Sequence, residues 1–92
     1  MARQIFKYPL SVAGSQTCQL PRGAELLSVQ QQHGELQLWA MVDGARGVES
    51  VEILVYGTGQ ELPDDLTRAD YVGTVQMLGG IFVWHVFRRV VA

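Results

Sequence analysis

An all-β fold, a small antiparallel sandwich or barrel of about seven strands with no long helix, is what this sequence predicts. Three observations predict it. Apolar and polar residues alternate with period two along most of the chain, the pattern of strands buried on one face. Two short turn signals, His33-Gly34 and Gly79-Gly80, sit at the centres of reciprocal hairpins running from Ala24 to Asp43 and from Asp70 to Val91. Glycine, proline and aspartate punctuate the remaining runs, and no segment holds a helical period for long.

Gln4 to Val12 reads as a strand interrupted by Pro9, whose missing N–H is tolerated at a sheet edge or a bulge. Ala13-Gly14 turns the chain, and Ser15 to Leu20 alternates Gln16, Cys18 and Leu20 with Thr17 and Gln19 before Pro21-Arg22-Gly23 ends it. The expectation is that these two strands form an edge hairpin. In the next hairpin a two-residue loop at His33-Gly34 pairs Gln32 with Glu35, Val29 with Leu38, Ser28 with Trp39 and Leu27 with Ala40. One face then carries Leu27, Val29, Leu36, Leu38, Ala40 and Val42, which is core, and the other carries Leu26, Ser28, Gln30, Gln32, Gln37, Trp39 and Met41.

Gly44 to Gly47 is a connection, and in Glu49 to Tyr56 the residues Val51, Ile53 and Val55 point inward. The loop from Gln60 to Ala69, with Pro63 before Asp64 and Asp65, holds at most one helical turn. About Gly79-Gly80, Leu78 pairs with Ile81, Met77 with Phe82, Gln76 with Val83, Val75 with Trp84 and Thr74 with His85. Apolar residues on both faces of the last strand call for cover on both sides, from a second sheet or another subunit. Residues 1–92 are read as one β domain, helped by homo-oligomerisation because so short a chain buries little surface.

A net charge of -2 with only seven lysines and arginines argues against a duplex nucleic-acid ligand, which needs a basic footprint. A small anionic ligand needs only a few donors. The single cysteine, Cys18, excludes an internal disulfide and a paired-cysteine metal site. The start lacks a signal-peptide stretch and the apolar run after Ile81 stops at Arg88-Arg89, short of the roughly 20 residues a membrane span needs. A soluble, cytoplasmic protein is expected, with no membrane partner, no metal and no cofactor.

Four features carry candidate chemistry. His85, opposite Thr74 and diagonal to Gln76, is placed to donate to a phosphate or a base edge, or to be satisfied by Thr74. Tyr56-Gly57-Thr58-Gly59 offers consecutive N–H groups and a hydroxyl, as an anion nest or as a bulged turn. Trp39 with Ser28, Gln30 and Gln37 forms an aromatic platform ringed by hydrogen-bonding groups, suited to stacking a base, or else packs under the terminal segment or against a second subunit. Lys7 and Tyr8 add a lid or a phosphate partner, or Lys7 is a solvated edge charge that blocks sheet-to-sheet pairing. The acidic residues Glu61, Asp64, Asp65 and Asp70 lack calcium-loop spacing, and Cys18 has no activating neighbour in the sequence.

The segments Lys7-Tyr8-Pro9-Leu10, Leu20-Pro21-Arg22-Gly23-Ala24, Leu26-Leu27-Ser28-Val29-Gln30, Leu38-Trp39-Ala40-Met41-Val42-Asp43, Tyr56-Gly57-Thr58-Gly59 and Gly79-Gly80 through His85-Val86-Phe87 resemble a family of small tailed-bacteriophage proteins with no assigned biochemical function. Gly44 to Ser50 is the least family-like stretch, and the Arg88 to Ala92 tail extends past the motif. The resemblance implies a phage accessory protein acting in the cytoplasm of the infected host. The expected role is noncatalytic sequestration of a nucleotide-type signalling molecule of host defence. The alternative is a protein-interaction or minor structural module that blocks or recruits a host protein. A nucleotide-cleaving enzyme using His85 as general acid or base is the third class.

Overall fold

The computed structural model describes residues 2–12 and 14–90. Ala13 of the expected first turn, and Val91 and Ala92 of the expected last strand and tail, lie outside the described residues. Among the described residues there are seven strands: β1 (Gln4–Leu10), β2 (Ser15–Pro21), β3 (Glu25–Gln32), β4 (Glu35–Val42), β5 (Val48–Gly57), β6 (Tyr71–Met77) and β7 (Phe82–Val90). They make two antiparallel sheets, sheet A in the order β1-β4-β3 and sheet B in the order β2-β5-β7-β6. The expected all-β class is thus the observed one. Among the described residues no helix is long and apolar enough to cross a membrane.

The inner faces share one core. Leu36, Leu38, Ala40 and Val42 of β4 and Val29 of β3 meet Val51, Ile53 and Val55 of β5, Val75, Val86 and Leu20. Alternation explains this: each strand sends every second side chain inward, and those are the apolar ones. β3 and β6, edge strands of different sheets, lie side by side. A methyl group built on Gly73 of β6 would stand 2.9 Å from Val29 Cγ1, so glycine is what lets the two strands approach.

The expected β1–β2 hairpin does not form. β1 pairs with β4, Gln4 opposite Val42 to Leu10 opposite Leu36, while β2 pairs with β5, Ser15 opposite Leu54 to Pro21 opposite Val48. The chain therefore crosses from one sheet to the other after Leu10. Gln16 secures the corner, its Nε2 donating to the Ser11 carbonyl at 2.7 Å and its Oε1 accepting from the Ser11 N–H at 2.9 Å. The physical gain is that the inward stripes of β1 and β2 oppose each other across the core rather than lying side by side on one sheet. Pro9 does sit on an edge strand, as its missing donor requires.

The His33-Gly34 loop has positive φ at both residues, 53° and 79°, the type I′ geometry that matches strand twist. The expected pairs hold from Gln32 opposite Glu35 to Ser28 opposite Trp39, and then a bulge at Leu27 shifts the register. Leu26, not Leu27, stands opposite Ala40. Leu27, expected in the core, is 47% exposed, because the extra residue of a bulge is turned out of the ladder.

Around Gly79-Gly80 the pairs from Met77–Phe82 to Thr74–His85 are as expected. Leu78 and Ile81 do not pair as strand residues: Leu78 takes φ 52°, and the Ile81 N–H closes a turn on the Leu78 carbonyl at 3.2 Å. The outward side of sheet B also departs from the alternation. Leu54 and Phe87 point away from the core yet are buried. The chain's own loop between β5 and β6 lies over this side, with Arg89 donating to Glu52 at 3.2 Å and to Asp65 at 2.6 Å. The second cover that the last strand calls for is therefore supplied within the chain and does not require another subunit.

Candidate functional site

β4 is the central strand of sheet A, so its outward residues form the spine of that sheet's outer face. Trp39 is half-buried there, directly between Lys7 of β1 and Ser28 of β3. One step along, Gln37 lies between Pro9 and Gln30. Gln30 Nε2 donates to Ser28 Oγ at 3.1 Å, and Lys7 Nζ donates to Gln32 Oε1 at 2.7 Å. Because Lys7 is level with Trp39 and Gln32 with Glu35, that bond runs diagonally over Gln37. Gln37 is only 7% exposed, and its buried Oε1 has no hydrogen-bond partner among the described residues. An unmet amide oxygen costs about 1–3 kcal/mol, so this face contains an acceptor that an incoming donor would satisfy.

Sheet B holds the second cluster. Tyr56, His85 and Thr74 form one row on its outer side, from β5 through β7 to β6. Thr74 Oγ1 contacts His85 Nδ1 at 3.0 Å and Thr58 Oγ1 contacts His85 Nε2 at 2.7 Å, while the Tyr71 hydroxyl bonds Thr74 Oγ1. Both ring nitrogens are thus engaged within the chain. The imidazole is held as a link in a Tyr71–Thr74–His85–Thr58 chain, which matches the reading in which Thr74 satisfies it.

The Gly57-Thr58-Gly59 turn is built differently from an open anion nest. Gln60 Oε1 accepts the Gly57 N–H at 2.9 Å, and the Gln60 N–H bonds the Gly57 carbonyl at 3.1 Å. Gly59 takes φ 87°, as the third position of a type II turn requires. The first donor of the expected nest is therefore already occupied by a side chain. A cleft of about 270 Å³ remains between Thr58, Gly59, Leu62, Tyr71 and His85.

The candidate residues thus fall into separate groups. Lys7, Ser28, Gln30 and Trp39 share the outer face of sheet A, whereas Tyr56, Thr58, Thr74 and His85 share that of sheet B. Between the two groups lies the β3–β6 seam, where Gln30 and Thr74 line a shallow groove. The two groups thus stand on the outer faces of different sheets. Tyr8 belongs to neither, since it alternates with Lys7 and packs toward the core. Cys18 also faces the core, where burial raises its thiol pKa above the usual value; a protonated thiol is a poor nucleophile.

Sequence reasoning missed a third place. At the end of sheet A nearest Met41, a cleft of about 350 Å³ is lined by Arg3, Arg22 and Arg46 together with Gly23, Glu25 and Asp43. These come from the chain before β1, the β2–β3 turn and the turn after β4, and no sequence spacing links them. Among the described residues none of the three arginines has a carboxylate within ion-pair distance. No arrangement of three or more metal-ligand side chains occurs among the described residues.

No curated protein and no solved structure matches the chain. A family model described as a domain of unknown function, DUF7352, matches residues 1–92, the whole length, and the chain belongs to that uncharacterised family.

Proposed function

We propose that this protein is a noncatalytic binder that holds a nucleotide-type small molecule on the outer face of sheet A. The observation that carries the reading is Trp39, half-buried at the centre of that face, with Lys7 and Ser28 on either side and the unmet Gln37 amide one step along. An indole stacks any base, contributing about 1–3 kcal/mol, and amide and hydroxyl groups around it meet the base edge. The Lys7–Gln32 bond over Gln37 is exposed, and opening it costs little. The resemblance of its segments to small tailed-phage proteins supports a phage accessory role, in which a defence nucleotide is sequestered in the infected cell. Engagement of both His85 ring nitrogens supports retention over cleavage.

The test is native mass spectrometry of protein purified from defence-active bacterial lysate, with denaturation to release anything bound. A stoichiometric, intact nucleotide is expected. Trp39→Ala should abolish retention and His85→Ala should leave it in place, since the two lie on different sheets. Full retention by Trp39→Ala removes the proposed site, and a cleaved product identifies an enzyme.

A second reading, a protein-interaction module, is favoured by the tip of the β6–β7 hairpin. Leu78, Ile81 and Phe82 are 66%, 76% and 46% exposed, beside a largely apolar cleft of about 430 Å³ reaching Trp84 and Met77. Contiguous exposed apolar surface of this kind marks association. If this tip joins two copies, light scattering shows a dimer that Ile81→Asp converts to a monomer; a monomer across micromolar concentrations rules out the homo-oligomer.

A further inference from the structure

The arginine cleft adjoins the Trp39 face. Outward positions on β4 run Gln37, Trp39, Met41, and Met41 pairs with Glu25 of β3 and Ile5 of β1. Met41 and Glu25 both line the cleft, so the cleft begins two residues along β4 from the platform, a strand rise of about 7 Å. That is the distance at which the 5′-phosphate of an extended nucleotide stands from its base. Resting on the reading of the Trp39 face as a base platform, we propose that Arg3, Arg22 and Arg46 receive the phosphate of the same ligand, and that the Glu25 carboxylate of the same lining accepts from its sugar hydroxyls.

The guanidinium groups suit that task for reasons independent of the platform. Seven lysines and arginines serve the whole chain, and three of them converge on this cleft. Two are positioned by backbone. Arg22 Nη2 reaches the Val48 carbonyl at 3.4 Å, and Arg46 lies over Gly23 so closely that a methyl there would meet its Nη1 at 3.0 Å. Gly23 adopts φ 80°, open to glycine and strained for other residues, so the chain's conformation and the guanidinium's seat have the same requirement.

Asp43 also lines the cleft, but its Oδ1 accepts the Ala45 N–H at 3.1 Å, which directs part of its charge into the turn. Three guanidinium groups face two carboxylates in the lining, and the Glu49 carboxylate accepts the Gly23 N–H at 3.1 Å beside them, so the charges of the cleft are close to balance. Such a site favours one phosphorylated end of a hydroxyl-bearing molecule over a long polyanion. Lys7, engaged with Gln32 on the far side of Trp39, is not the phosphate partner in this arrangement.

Calorimetric titration of the full chain at low salt tests the assignment, using the four ribonucleosides, their 5′-monophosphates and pyrophosphate, with thermal melts as the folding control for every variant. The expected result is that a nucleoside monophosphate binds at least about tenfold more tightly than its nucleoside, since hydrogen bonds to charged groups carry that much. Arg22→Gln and Arg46→Gln should each remove about tenfold of the monophosphate affinity while leaving nucleoside affinity unchanged, and Trp39→Ala should weaken both. Nucleosides that bind through Trp39 with no gain from the phosphate overturn the cleft assignment and leave the platform standing. Pyrophosphate that binds through the arginines while no nucleoside binds overturns the joined site and the platform together. No binding by any probe overturns both.

Discussion

Leu38→Ala is expected to lower the unfolding free energy by about 3–4 kcal/mol, near the middle of the range for a buried leucine. Leu38 is completely buried on the central strand of sheet A, between Tyr8 and Val29 in register. Its neighbours are ladder residues fixed by hydrogen bonds on both sides, so the hole left by truncation cannot close by backbone shift. A domain of this length has a total stability of about 5–14 kcal/mol, so the loss is a large share of it. The paired control is Leu27→Ala, one strand over and displaced by the bulge, where a change within about 0.5 kcal/mol is expected. Urea unfolding of both variants measures the difference as a change in midpoint at constant slope. Equal losses at the two positions would mean that the bulge, and with it the inward set of β3, is misplaced.

Gly73→Ala is expected to cost about 2 kcal/mol, the magnitude of an overpacked core contact. The added methyl would stand 2.9 Å from Val29 Cγ1. Val29 is 5% exposed and β-branched, so it has no easy rotamer to retreat into. The measurement is a double-mutant cycle with Val29→Ala. A shortened Val29 makes room for the methyl, so the double variant should be more stable than the sum of the single losses predicts by at least about 0.5 kcal/mol. Strict additivity would show that β3 and β6 do not touch at this point.

The hairpins were legible because their turns carry their own chemistry. His33-Gly34 and Gly79-Gly80 set the register, and counting outward from them found Ser28 opposite Trp39 and Thr74 opposite His85. Counting failed where the residues offered no choice: Leu26 and Leu27 are both leucine, so nothing in the alternation shows which is extruded by the bulge. The partners of β1 and β2 were not legible either. Two short strands joined by a glycine turn look like a hairpin, and only the demand for an opposing inner face sends them to different sheets. Thr58 was a candidate, but its contact with His85 was not legible for a similar reason, since it depends on how the turn after β5 folds back. The arginine cleft draws on three turns that become neighbours only when the sheets are assembled.

The crossing from β1 to β2 has a consequence for how the chain is made. β3–β4 and β6–β7 are local hairpins that can close as soon as their residues exist, on a microsecond scale. The amino-terminal strands have no such option: Gln4 waits for Val42 and Ser15 for Leu54. Pairing at long sequence separation is slow because loop closure precedes any reward. During synthesis β1 and β2 therefore wait unpaired until the residues up to Val42 and Leu54 have been made, one on each side of a nascent core. Pro9 and Lys7 on β1 then act as chaperoning features written into the strand itself, since a missing donor and a charge discourage pairing with neighbouring chains until β4 has been translated.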